Sequence, residues 1–291
     1  MAYGLMPSHS VADKSVKQMY INGHFCYVHK FGVITNGLGI VRHIAFLDDD
    51  FKTKHSELII DKKLDSPEED KSIGDSTSLK PVLTDFFNTH PHFLYSTFLG
   101  DSAFDKCTHY TSLKDDYNFK KVLIPLNSRN RSNLDPVSFN EYGYPLCPND
   151  KNLAMKYCGI TKAKGRSDRI KWTCPKVSIQ KGKHICSCEN PCSKASRGRT
   201  TYTYNNQDFR MLPGIVRDSD EWNTLYKKRC VVEQAINHLK TNMCVAGRKS
   251  RNLSTTKADL LLASIAQLFT VILADSLKFP KLIRSLKPLI A

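Results

Sequence analysis

Between residues 226 and 240 the polar side chains Tyr226, Arg229, Glu233 and Lys240 are separated by three, four and seven positions. Each interval returns to nearly the same side of a helix with 3.6 residues per turn, so the four form one polar stripe in which a carboxylate is flanked by cations. Val232, Ala235, Ile236 and Leu239 fall mostly on another side. The pattern predicts an amphipathic helix that packs by one face and works with the other. Upstream, residues 95–105 form a short apolar run that ends in acids, Asp101 and then Asp105. That run predicts a buried strand presenting Asp101 at its C-terminal end. Lys121-Val-Leu-Ile-Pro-Leu predicts a further strand. Residues 257–277 are apolar on nearly every side and predict a long helix; Asp259, Gln267 and Asp275 interrupt or bound it. Packing over a sheet, rather than insertion in a bilayer, is the expected reason for its hydrophobicity.

The chain has 291 residues, 41% of them hydrophobic and 24% charged, which is enough apolar material for a substantial core. Its net charge of +15 is unevenly placed. Residues 1–127 hold 14 Lys and Arg against 16 Asp and Glu, whereas residues 128–291 hold 29 against 12. A carboxylate-bearing half beside a strongly basic half is the distribution expected of a metal-dependent enzyme acting on a polyanion. Neither an HExxH helix nor a GxxxxGK[ST] loop is present, which argues against zinc hydrolases of that type and against ATP-driven chemistry. The sequence shows no internal repeat and no targeting segment.

From about residue 127 to 217 the composition shifts toward Asn, Lys, Arg, Gly, Pro and Cys, with short β-type runs such as Thr200–Tyr204. Asp101 and Glu233 are separated by 131 residues, more than a connecting strand and its flanks require, and the excess reads as a mainly β insertion. Six of the ten cysteines lie there: Cys147, Cys158, Cys174, Cys186, Cys188 and Cys192. Cys186-x-Cys188-x3-Cys192 with Cys174 upstream could supply four thiolates to one structural Zn2+, with His184 as another ligand candidate. Individually buried, reduced thiols are the alternative, and Cys26, Cys107, Cys230 and Cys244 are expected as small core residues.

The Tyr-x2-Arg-x3-Glu-x6-Lys stripe resembles, at every position and gap, the signature of DDE transposases encoded by bacterial insertion sequences. The resemblance implies an α/β, RNase H-like mixed sheet flanked by helices, with a β-rich, Cys-rich insertion before the last catalytic helix. In such enzymes two aspartates and the signature glutamate hold two Mg2+ or Mn2+ ions, which serve first to cut DNA and then to join the freed 3′-hydroxyl to a target strand. Carried over, the glutamate is Glu233 and the second aspartate is Asp101. For the first, Asp13 competes with Asp48, in the run Asp48-Asp49-Asp50. Topology favours Asp13, because two more antiparallel strands should follow it and residues 24–35 and 39–47 read as that meander. Residues 75–87 resemble the helix before the second-aspartate strand, with Asp75 as its cap. Tyr226, Arg229 and Lys240 would contact phosphates and bases. Trp172 would stack on an extruded base, with a core role as its alternative, and Arg248 and Lys249 form a basic turn suited to a phosphate backbone.

These readings divide the chain into residues 1–127, the first part of the catalytic domain, residues 128–217, the insertion, and residues 218–291, the closing helices. The partners implied are transposon-end and target DNA, a second copy of the chain and no membrane, in a bacterial cytoplasm. Relatives usually begin with a helical region that recognises terminal repeats, and with Asp13 this close to the start the chain is expected to lack it. Two other readings stay open. One is an inactive DNA-binding or dimerising fragment that regulates transposition; the other is an RNase H-like nuclease that cuts without joining.

Overall fold

The computed structural model describes residues 15–21, 24–58, 73–127, 139–140, 142–164, 166–204, 209–210, 212–246 and 252–283. The protein is mixed α/β, with several small sheets and helices. In chain order the first elements are β1 (Lys17–Ile21), β2 (His24–Val28), β3 (Phe31–Thr35), β4 (Val41–Phe46), α1 (Asp49–Lys54) and α2 (Asp75–Thr89). Next come β5 (Thr97–Leu99), α3 (Cys107–Asp115), β6 (Lys121–Leu123), β7 (Leu146–Cys147), β8 (Asp150–Ala154), β9 (Lys156–Ala163), β10 (Arg166–Thr173), β11 (Val177–Gln180), β12 (Lys183–Cys186) and β13 (Thr200–Tyr204). The last are α4 (Asp220–Tyr226), α5 (Cys230–Asn237) and α6 (Leu253–Ser276). The chain divides into two compact units, residues 1–93 with 228–291 and residues 94–227.

In the first unit the anticipated strand over 24–35 is two strands, interrupted at His29 and Lys30. β2 pairs back on β1 and β3 pairs forward on β4, both antiparallel. The turn between β3 and β4 is set by Asn36, whose Oδ1 accepts hydrogen bonds from the main-chain N–H of Leu38 and Ile40, an Asx turn. Two cores flank this hairpin. Ala45, Leu47, Phe51, Ile73 and Val82 join β4 to α1 and α2, and Val41, Leu239, Leu260 and Ala263 join it to α6. Gln267 of α6 is 2% exposed; its Oε1 accepts from Val41 N at 2.9 Å and its Nε2 donates to Gly39 O at 3.1 Å. One buried amide thus satisfies main-chain groups that the hairpin end would otherwise leave unpaired.

Asp75 is the first residue of α2, after the cap Gly74, and its carboxylate lies 2.6 Å from Lys30 Nζ. There it complements the positive helix end as a first-turn acid instead of capping it. In α6 the buried stripe is Asp259, Leu260, Ala263, Gln267, Thr270 and Ala274, whereas Leu262, Phe269 and Ile272 are more than half exposed. Packing on the hairpin therefore explains one face of α6 and not its all-round hydrophobicity. By length and composition it is the one helix among the described residues that could cross a membrane.

In the second unit β5 and β6 pair in parallel, with α3 as the crossover between them. Residues 212–215 lie along β6, where Val122 N donates to Pro213 O at 2.9 Å. Gly214 has φ +74°, and a Cβ there would meet Lys120 O at 1.8 Å, so the close approach requires glycine. Leu123, Ile215 and Trp222 form the adjoining core. Every described element from β7 to β13 is a strand: β9, β10 and β13 form a three-stranded antiparallel sheet, with β7–β8 and β11–β12 as separate hairpins. Met155, Ile170, Trp172 and Leu212 are buried together there.

Candidate functional site

Asp101 stands two residues beyond the C-terminal end of β5, in the parallel pair whose strand ends are where open α/β sheets gather their ligand-binding groups. Gly100 precedes it and continues the ladder, donating to Leu123 O at 3.1 Å. A Cβ on Gly100 would sit 2.9 Å from the Phe98 ring and 3.0 Å from that of Phe104. Asp101 then caps the 3₁₀ turn Ser102–Phe104, with its Oδ1 accepting from Ala103 N at 2.8 Å. Its side chain is partly exposed.

The turn bearing Asp101 is tied down by a buried network that sequence reasoning did not reach. Asp105 is completely buried and receives both Arg210 Nε and Nη2 at 2.7 Å, a bidentate pair, and Asn127 N at 2.6 Å. Asn127 Nδ2 in turn donates to Ser102 O at 3.4 Å. Arg217, 2% exposed, donates to Tyr110 Oη, to Arg210 O and to Ile124 O. Burial presses the Arg217 guanidinium downward from its ordinary pKa, with Tyr110 opposing, and raises the Tyr110 phenol. The bond to Asp105 holds Arg210 above its ordinary value. Asp105 lay within the run that singled out Asp101, but its distinguishing mark is a partner 105 positions away, and local pattern does not carry that.

Tyr226, the last residue of α4, stacks on Trp222 with centroids 5.7 Å apart and donates from its hydroxyl to Gly100 O at 3.3 Å. The first residue of the Tyr-Arg-Glu-Lys stripe is thereby bonded to the residue that precedes Asp101, across 126 positions of sequence. Trp222 itself lies under the Arg217 guanidinium at 5.4 Å.

Residues 220–242 are helical throughout, but not as one regular α-helix. α4 is followed by a 3₁₀ turn at Lys227–Arg229, then α5, then a π-helical turn at His238–Asn242. Of the predicted apolar face, Ala235 on α5 and Leu239 in the π turn are buried while Val232 and Ile236 are only partly so, and Val231 is buried with them. Glu233 projects outward, its carboxylate 59% exposed, with Oε1 2.9 Å from Arg229 Nη1 one turn earlier. Lys240 is exposed and sits in the π turn, a widening that is found disproportionately at functional sites. Changes of winding on both sides of α5 replace the single 3.6-residue phase that the spacing implied.

Comparison with protein-family models, curated proteins and solved structures gives no match.

Asp13, Arg248 and Lys249 lie outside the described residues. Asp48 caps α1 by accepting from Phe51 N at 3.0 Å, and its other oxygen lies 2.5 Å from Lys257 Nζ, so helix capping and an ion pair account for it. The carboxylate of Asp48, and after it that of Asp50, raises the pKa of Lys257. Trp172 is 3% exposed, with Nε1 donating to Thr203 Oγ1 at 2.9 Å and Tyr144 and Tyr157 against its ring. It is a core side chain, and base stacking by it is withdrawn. Cys107, Cys230 and Cys244 are exposed, contrary to the core role expected of them. Cys174 and Cys147 are buried, and Cys186, Cys188 and Cys192 are partly exposed. Partial desolvation, together with the neighbouring Cys186 thiol, pushes Cys188 up to about 11, and desolvation with Cys147 raises Cys192. Among the described residues no group of three His, Cys, Asp or Glu is spaced to hold a metal ion.

Proposed function

We propose that this chain is the catalytic core of a DDE transposase, built on an RNase H-like fold, that cuts DNA at the ends of an insertion element and joins them to a target. The observation that carries the reading is the hydrogen bond from Tyr226 to Gly100 O beside Asp101. Tyr226, the first residue of the four-residue signature, is bonded to the main chain beside the acid that ends the apolar run. The parallel β5–β6 pair joined by α3 and the strand-only stretch from β7 to β13 are both compatible with it.

The carboxylates carried over are Asp13, Asp101 and Glu233. Of the two that are described, Asp101 is partly and Glu233 largely open to solvent, and an all-oxygen donor set of this kind fits a hard divalent cation such as Mg2+ or Mn2+. When bound, two such ions supply the activation of water and the neutralisation of the departing 3′-oxygen. Arg229 offers a planar donor fork for a phosphate, and Lys240 a mobile point charge. Tyr226 fixes the main chain at Gly100, and Asp105 with Arg210 anchors the turn that presents Asp101.

The test is nicking of a supercoiled plasmid by the purified chain in Mn2+ or Mg2+, with 3′-end joining read on sequencing gels. The expected result is metal-dependent nicking that disappears in Asp101→Asn and in Glu233→Gln. Nicking that survives both substitutions would refute the assignment. DNA binding with no nicking would favour the inactive, regulatory fragment, and nicking without joining would favour a nuclease.

A further inference from the structure

Five of the six cysteines between β7 and β13 belong to one neighbourhood, although they come from separate parts of the sequence. Cys147 ends β7, Cys174 follows β10, and Cys186 ends β12 opposite Val177 in the β11–β12 register. Cys188 and Cys192 lie on residues 187–199, which carry no helix or strand. Cys192 lies beside Cys147 and Cys188 beside Cys186, and Cys174 is near enough to both Cys188 and Cys192 to act on them electrostatically. Main-chain bonds bring these segments together: Cys174 N donates to Arg199 O at 3.0 Å, and Ser187 N to Lys176 O at 3.0 Å. Gly198 closes against Cys174 with φ +67°, where a Cβ would lie 3.1 Å from Cys174 Cβ and 2.6 Å from Val177 Cγ2. Glycine at that position lets the loop press directly on the buried cysteine. Cys158, the sixth, is exposed on β9.

We propose that Cys147, Cys174, Cys188 and Cys192 bind one structural Zn2+, with the Cys186 thiol donating a hydrogen bond to the Cys188 sulfur. Four thiolates are the complete donor set of a structural tetrahedral zinc site, and soft sulfur ligands select zinc over the hard cations that carboxylates prefer. The set departs from the one that spacing alone suggests. Cys147, 27 positions before Cys174, replaces Cys186, because Cys192 lies beside Cys147 while Cys186 lies beside Cys188. As each Zn–S bond forms, the ligating Sγ gives its proton to solvent. Among the described residues no three of these sulfurs stand at metal-holding distances, so the ion would have to draw them closer. The site would then tie a hairpin and an irregular loop to the sheet where little apolar core does so.

The experiment is metal analysis of the full chain purified under reducing conditions, combined with Co2+ titration. One zinc per chain is expected, and Co2+ should produce sulfur-to-cobalt charge-transfer bands with the visible bands of a tetrahedral site. Cys147→Ser and Cys192→Ser should lose the metal, whereas Cys158→Ser and Cys186→Ser should retain it. The proposal is overturned if the unsubstituted chain binds no zinc and gives no thiolate-to-cobalt bands. It is equally overturned if mass spectrometry finds these cysteines as disulfides in chain kept under reductant, or if Cys158→Ser loses zinc as Cys192→Ser does. The cobalt spectrum is read on the unsubstituted chain, so a variant that fails to fold does not obscure the result.

Discussion

Glu233 illustrates how a residue's role depends on what surrounds it. Its carboxylate is exposed and meets Arg229 across one helical turn, a pair whose contribution to stability is at most a few tenths of a kcal/mol. Glu233→Gln should therefore leave the melting temperature nearly unchanged while lowering metal-dependent nicking by more than about 100-fold, beyond what loss of an outer-shell partner typically causes. Thermal denaturation and plasmid nicking on the same preparation test both halves, and equal activity would remove Glu233 from the chemistry. Asp105 is the opposite case. It is completely buried against Arg210, so Asp105→Asn leaves a buried guanidinium without its counter-charge and should cost about 3–5 kcal/mol, measured by denaturant unfolding. Sequence distinguished these two residues poorly. The Arg229–Glu233 pair was legible because its members lie one helical turn apart, whereas the partner that defines Asp105 lies 105 positions away. Trp172 kept two readings for a related reason: its neighbours Tyr144, Tyr157 and Thr203 come from different segments, and only their arrival decides for the core role.

At the scale of elements, strands and helices were legible where one physical rule acts locally. Thr97–Leu99, Lys121–Leu123 and Thr200–Tyr204 appear where apolar or β-branched runs placed them, and the helix beginning at Asp75 appears behind its acidic start. The split between β2 and β3, the winding changes around α5 and the exposed face of α6 were not legible, since each depends on what packs alongside. The joint between α1 and α2 gives a test of such packing. Asp85 of α2 is buried; that desolvation pushes its pKa up, but the bonds from Lys54 at 2.6 Å and from His55 outweigh it, and the net shift is downward. A depressed folded-state pKa means that the contribution is fully present above the unfolded value, about 3.9, and is lost as pH falls through the folded one. Asp85→Asn should thus lower stability at pH 7 and flatten its decline below about pH 4, followed by urea unfolding across pH. A Gly214→Ala chain should be destabilised at every pH by more than about 1 kcal/mol, because its Cβ would meet the Lys120 carbonyl and backbone cannot move aside as a side chain does.

For the whole molecule the informative quantity is where the charge resides. Residues 128–291 carry an excess of 17 positive charges, while residues 1–127 are near neutrality with an excess of two negative charges. A protein that binds DNA through phosphate contacts releases one set of condensed counterions per contact, so the logarithm of its affinity falls linearly with the logarithm of salt concentration. If the basic half engages about six phosphates, affinity for non-specific duplex should drop about a thousandfold between 50 and 200 mM salt. Arg229→Ala should reduce that slope by about one unit and weaken binding uniformly across sequences, as loss of a single phosphate contact does. Glu233→Gln should leave the slope unchanged or raise affinity, because it removes a negative charge from the same helix face. Fluorescence anisotropy on a labelled duplex over a salt series measures all three chains. A slope no steeper than that of one or two contacts would mean that the positive excess serves solubility and not polyanion binding. The nucleic-acid reading would then lack its electrostatic basis, whatever the signature suggests.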